Sequence, residues 1–163
     1  MNVFEHAMKM EQDGRAFYLE HAGKVSEPAL KRILLELADD ELKHFKLFEA
    51  LQKSQKAEYH DSDMTTILST ARNVFEEMKD KNRDFSFPKD VRKAWEVAAD
   101  VEKQSEAFYR ETAHTVKDES QRQVWNRIAD EEHRHWTVIE HVIQFLDRPK
   151  QWIADAEWSS LED

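Results

Sequence analysis

Apolar residues recur along most of this chain at intervals of three and four, the period of an α-helix with one face turned to a core. From Asn2 to Val25 such a face carries Phe4, Ala7, Met8, Tyr18 and Ala22, and Glu11 stands among them. A second run opens at Ser26-Glu27-Pro28, with Ser26 as the expected N-cap and Pro28 in the first turn, and continues to about Lys53. A third, about Lys89 to Val116, carries Trp95, Val97, Ala98, Glu102, Tyr109 and Ala113. The fourth, about Asp118 to Leu146, carries Val124, Trp125, Ile128, Glu132, His135, Ile139 and Val142 and stops before Pro149.

Between the second and third runs the pattern weakens. Residues 54–88 are more charged, although Asp63 to Lys81 sets Ile67, Leu68, Ala71, Val74, Phe75 and Met78 at helical spacing. A shorter amphipathic helix outside the bundle is expected there. A connection this long lets helices two and three lie parallel, whereas a short loop would force them antiparallel. The tail, residues 148–163, holds Trp152, Ile153 and Trp158. It is expected to pack as a short helix against the bundle or a second subunit.

The chain also repeats itself. A shift of 91 residues lays Glu41 on Glu132, His44 on His135, Asp39 on Asp130 and Glu11 on Glu102. The same shift brings AFYLEHA, from Ala16, onto AFYRETA, from Ala107, and matches Ile33 with Val124 and Leu37 with Ile128. Two copies of one helical hairpin explain this register. The expected organisation is one domain over 1–163: repeat one at about 2–53, the crossover at 54–88, repeat two at about 89–147, then the tail. The fold class is all-α, an antiparallel four-helix bundle with a long crossover between helices two and three.

Composition narrows the chemistry. Gly occurs twice, Pro three times and Cys never in 163 residues, which favours helix and excludes thiolate-bound metals and disulfides. The net charge of −10 argues against nucleic acid, which needs a basic surface. The charged start, MNVFEHAMKMEQDG, does not read as a signal peptide, and no run of about 18 apolar residues would span a membrane. A cytoplasmic location is the expectation.

The repeated residues are metal-ligand types. Glu41/His44 and Glu132/His135 are each spaced Glu-x-x-His, so each helix turns a carboxylate and an imidazole to the same side. Glu11 and Glu102 add one carboxylate from each remaining helix. Two single Glu and two Glu-x-x-His is the ligand set of a carboxylate-bridged dimetal bundle. Four buried carboxylates would be costly alone but are neutralised by two divalent ions. The remaining histidines, His6, His21, His60, His114, His133 and His141, have no repeated partner and are expected at the solvated surface.

Other residues fall around these six. Asp40 and Glu131, each just before a ligand Glu, are placed to accept the outer N–H of the opposite helix's imidazole, Asp40 from His135 and Glu131 from His44. Tyr18 and Tyr109 lie two turns from Glu11 and Glu102 and can reach a ligand carboxylate across the bundle. Gly14 and Ser105 share the 91-residue relation. Gly inside a helix costs about 1 kcal/mol relative to Ala, so both small residues are read as leaving space beside the metals for peroxide or dioxygen. Close helix contact is the alternative at Gly14.

Glu11 followed by Tyr18, LADDELKH, Glu102 followed by Tyr109, and IADEEHRH together resemble the ferritin-like domain of the rubrerythrin family, over nearly the whole chain apart from the tail. The resemblance implies a non-haem di-iron centre that reduces hydrogen peroxide. Two features depart from it. Rubrerythrins carry a Cys-ligated rubredoxin module, absent from this cysteine-free sequence, so a separate protein is expected to donate electrons. They also place another Glu one turn beyond the helix-three ligand, where this chain has Ser105.

The expected function is reduction of hydrogen peroxide or oxygen at two iron ions cycling between Fe2+ and Fe3+, in a homodimer. The same N/O ligand set suits manganese, which leaves a manganese catalase-like enzyme open. An iron-oxidising or storage protein and a metal-free helical interaction module are the further alternatives.

Overall fold

A computed structural model describes residues 1–54, 64–81 and 85–162. His60 and parts of the crossover lie outside the described residues. Among those described there are six α-helices and no strand: α1 (Val3–Lys24), α2 (Pro28–Ser54), α3 (Ile67–Lys81), α4 (Lys89–Thr115), α5 (Glu119–Asp147) and α6 (Pro149–Asp155). A 3-10 turn, Glu157–Ser160, follows α6. No described helix is long and apolar enough to cross a membrane.

The helix ends follow from local chemistry. Asn2 caps α1 by accepting the Glu5 N–H at 2.9 Å, and Asp118 caps α5 by accepting the Gln121 N–H at 2.9 Å. The start of α2 corrects the expectation for Ser26. Pro28 takes the first helical position, so the cap falls to Glu27, whose carbonyl accepts from Lys31 N at 3.0 Å and whose carboxylate accepts from Ala29 N at 3.4 Å. The C-termini of α1 and α4 show the repeat again. Val25 and Val116 are both extended, and their N–H groups close on His21 and Thr112.

α1 packs on α2 and α4 packs on α5, forming two antiparallel hairpins. α1 and α4 also run antiparallel, since Tyr18 reaches Glu102 while Tyr109 reaches Glu11. The crossover lets α2 run parallel to α4, giving the ferritin-like arrangement. α3 lies against α2 and α5. Its apolar face is buried, with Ile67, Ala71, Val74 and Phe75 at 0% exposure, and Thr66 Oγ1 donates to Glu36 at 2.6 Å.

The tail folds back on α3. Phe75 meets the rings of Phe145, Trp152 and Trp158 at centroid distances of 5.6, 5.8 and 6.3 Å. Ala156 adopts φ 52, a left-handed conformation that turns the chain from α6 into the 3-10 turn. Arg72 Nη1 holds the Leu161 carbonyl at 3.2 Å.

The apolar core has two parts. One, around Phe48, Leu51, Tyr109, Trp125 and Ile128, lies toward the α1 N-terminus. The larger one runs from Tyr18, Ile33 and Leu37 through α3 to the tail. Between them is a polar layer comprising Glu11, Glu41, His44, Glu102, Glu132 and His135, all buried. Val97 stands outside the core, 43% exposed.

Phe75 joins α3, α5 and the tail, so Phe75→Ala is expected to lower unfolding free energy by about 3–5 kcal/mol in urea denaturation. Leu35→Ala, at a position 41% exposed, should cost under about 1 kcal/mol. Equal losses for the two variants would contradict the packing described.

Candidate metal centre

Each helix of the bundle supplies its ligand-type residues within about one turn of its middle. α1 brings Glu11, α2 brings Glu41 and His44, α4 brings Glu102, and α5 brings Glu132 and His135. None is more than 4% exposed. Their donor atoms form two overlapping groups: Glu11, Glu41, His44 and Glu132, then Glu41, Glu102, Glu132 and His135. Within each group all atoms lie within 4.8 Å of one another. Glu41 and Glu132 belong to both, which is the position of bridging carboxylates.

Several of these atoms are buried with no hydrogen-bond partner among the described residues. His44 Nδ1 lies 2.8 Å from Glu132 Oε1 and 3.4 Å from Glu11 Oε1, yet it has no hydrogen-bond partner of proper geometry. Glu11 Oε2, Glu41 Oε1, Glu102 Oε2 and Glu132 Oε1 are buried and also without a hydrogen bond. Five orphaned donor atoms in one layer would carry a severe desolvation cost that a pair of cations removes. The set therefore fits two metal ions, with four carboxylates against four positive charges and neutral imidazoles. N/O donors of this kind suit iron or manganese.

Both imidazoles present Nδ1 inward and Nε2 outward. His135 Nε2 meets Asp40 Oδ2 at 2.9 Å, and His44 Nε2 meets Glu131 Oε1 at 3.2 Å. An ionised carboxylate can only accept, which assigns the proton to Nε2 and leaves the Nδ1 lone pair for a metal. Tyr109 donates to Glu11 Oε1 at 2.7 Å and Tyr18 donates to Glu102 Oε1. Each tyrosine thus crosses to the other hairpin and holds the terminal carboxylate there.

Thr65 joins this network without a precedent in the sequence reading. It is 1% exposed, just before α3, and its hydroxyl donates to Asp40 Oδ2. No repeat partner advertises it, because the crossover exists once. The two sides consequently differ: Asp40 is held by Thr65, whereas Glu131 Oε2 has no hydrogen bond.

Gly14 has a more specific role than open space. A Cβ there would stand 2.9 Å from Glu41 Oε2, so the missing side chain makes room for the bridging carboxylate itself. Ser105 is 4% exposed and, with Gly14, lines a groove between α1 and α4. Of the unrepeated histidines, His133 Nδ1 pairs with Glu106 at 3.1 Å and His141 Nδ1 faces the Thr137 carbonyl at 2.8 Å, both away from the centre.

Without metal the layer holds protons. Burial, followed by the charges of Glu11, Glu132 and Glu102, pushes Glu41 well up, and burial with Glu102 and Glu11 does the same to Glu132. Burial opposes the imidazolium forms, but Glu11 for His44 and Glu102 for His135 outweigh it and raise both. Burial would raise Glu102 and Asp40 too, yet their hydrogen bonds and the His135 charge bring both below the usual carboxylate range. Burial and neighbouring carboxylates raise Tyr18 and Tyr109, which stay protonated.

The fold and this centre define a ferritin-like dimetal carboxylate protein. A family model described as Rubrerythrin matches residues 2–143, and the chain belongs to the rubrerythrin family. Comparison with curated proteins and with solved structures finds no match.

Two outcomes follow for the metal-free protein. His44, His135, Glu41 and Glu132 have raised folded-state pKa values, so their stabilisation is present at low pH and lost as pH rises, from 4.5 for the glutamates and 6.5 for the imidazoles. Glu102 and Asp40 act oppositely, only at the acid end. The metal-free Tm should fall as pH rises above about 6.5, and anaerobic metal addition at neutral pH should release protons in a weakly buffered titration. A flat Tm and no proton release would contradict the assignment. Thr65→Val should weaken metal binding about 10–100-fold in competition with a chelator; unchanged affinity would remove Thr65 from the network.

Proposed function

We propose that this protein is a non-haem di-iron oxidoreductase that reduces hydrogen peroxide, or oxygen, with electrons from a separate donor protein. The observation carrying this reading is the sharing of Glu41 and Glu132 between two four-residue donor groups. Glu41 and Glu132 would serve both ions of such a pair, which would supply the redox chemistry of O–O cleavage. A ferrous pair there supplies two electrons, the number that converts hydrogen peroxide to two waters.

The protein's own part is to place donors and protons. Glu11 with His44 and Glu102 with His135 hold the two ends of the centre, while Glu41 and Glu132 join them. Asp40 and Glu131 fix the imidazole orientation, and the apolar clusters on either side keep the layer dry. Tyr18 and Tyr109 keep a hydroxyl proton beside Glu102 and Glu11, available where oxygen is reduced.

No cysteine occurs in these 163 residues, so no thiolate-bound iron relay lies within them. An external donor protein supplies the reducing equivalents in this proposal. A homodimer and a cytoplasmic setting complete it.

The test is anaerobic mixing of the ferrous-loaded protein with stoichiometric hydrogen peroxide and, separately, with oxygen, following the ferric absorption. Peroxide should give a rate about tenfold or more above that with oxygen, a barrier difference of about 1.4 kcal/mol or more. Equal rates would contradict the peroxidase reading and favour ferrous-iron oxidation for iron handling.

A further inference from the structure

The groove between α1 and α4 is too large for the substrate just proposed. It measures about 300 Å³, whereas a water molecule occupies about 30 Å³ and hydrogen peroxide has only one more oxygen. α1 and α4 pack less closely than the partners within either hairpin, which is what opens the space. Its walls are mainly apolar, formed by Met10, Phe17, Ala98 and Val101 together with the polar Asp13 and Gln104, and its floor holds Gly14 and Ser105.

The floor abuts the centre at Gly14. Glu41 Oε2 lies behind Gly14, at 2.9 Å from where a Cβ would be. Tyr18, also on the groove, has its hydroxyl on Glu102. An apolar cleft with a few polar groups converging at one end suits a small amphipathic organic molecule. The polar end here is the metal centre.

We infer that the α1–α4 groove binds the hydrocarbon part of an alkyl or aralkyl hydroperoxide, with the O–O group at Gly14, beside the Glu41 carboxylate that backs it. This rests on the peroxide-reducing reading above and names its substrate class. In the reaction the O–O bond breaks, both oxygens are reduced by the two electrons held at the centre, and two protons from solvent complete one alcohol and one water. The external donor then restores the electrons. Met10, Phe17 and Val101 set the preference among hydroperoxides, since apolar contact distinguishes substrates by hydrocarbon size.

Cumene hydroperoxide and hydrogen peroxide are compared as substrates of the iron-loaded protein with a reducing system. kcat/KM should favour cumene hydroperoxide by about tenfold or more. Val101→Trp, at a position 39% exposed on the rim, should remove that preference. Gln104→Trp, also on the rim, should do the same and serves as the second variant.

A binding measurement stands beside turnover. Saturation-transfer NMR of 2-phenyl-2-propanol, the alcohol that cumene hydroperoxide yields, should show contact with the zinc-loaded protein and lose it in Val101→Trp. No alcohol binding, with hydrogen peroxide still reduced, overturns the inference and leaves the peroxidase reading intact. Failure to reduce either peroxide overturns the peroxidase reading, and this inference with it. Light scattering that shows Val101→Trp converting a dimer to a monomer would mean that a second copy covers the groove, which also overturns it.

Discussion

The structure depends on one electrostatic constraint: four carboxylates that must share a dry layer in the middle of a helical bundle. Like charges at this spacing repel strongly where water cannot screen them. In the metal-free state burial and the neighbouring carboxylates raise the proton affinity of Glu41 and Glu132, and the carboxylates raise that of both imidazoles against the effect of burial. With two cations present, the same atoms become ligands and the protons leave. Metal binding by these six side chains would therefore be coupled to folding.

The apolar architecture is arranged around that layer. The core divides into a smaller cluster about Trp125 and Phe48 and a larger one extending to α3 and the tail. Tyr18 belongs to one and Tyr109 to the other, each sending its hydroxyl to a carboxylate of the opposite hairpin. α3 covers α2 and α5 on the outside while Thr65, at its approach, reaches Asp40 within. Among the described residues, the crossover thus touches the His135 side of the centre through Thr65 and makes no such contact on the His44 side.

Much of this was legible in the sequence because it was written twice. The 91-residue shift superposes ligand types as well as apolar positions, so Glu11, Glu41, His44, Glu102, Glu132 and His135 could be named together. The 3.6-residue period then set Asp40 against His135 and Glu131 against His44 on opposite helices. What the sequence hid was unrepeated or depended on packing. Thr65 sits in the single-copy crossover, where nothing marks one threonine above its neighbour. The cap at Glu27 follows from Pro28 occupying the first helical position, a one-residue offset beyond the reach of periodicity. For Gly14, the sequence suggested room for peroxide or dioxygen, or close helix contact, whereas the packed helices give the space to Glu41.

The central claim is that Glu41 and Glu132 bind two ions jointly while Glu11 and Glu102 bind one each. Metal analysis of purified protein by mass spectrometry, with single Glu→Ala variants at these four positions, tests it most directly. The account predicts two ions per folded chain, one remaining when Glu11 or Glu102 is removed and fewer than one when Glu41 or Glu132 is removed. Two ions retained after loss of either Glu41 or Glu132, or none bound by the unaltered protein, would contradict it.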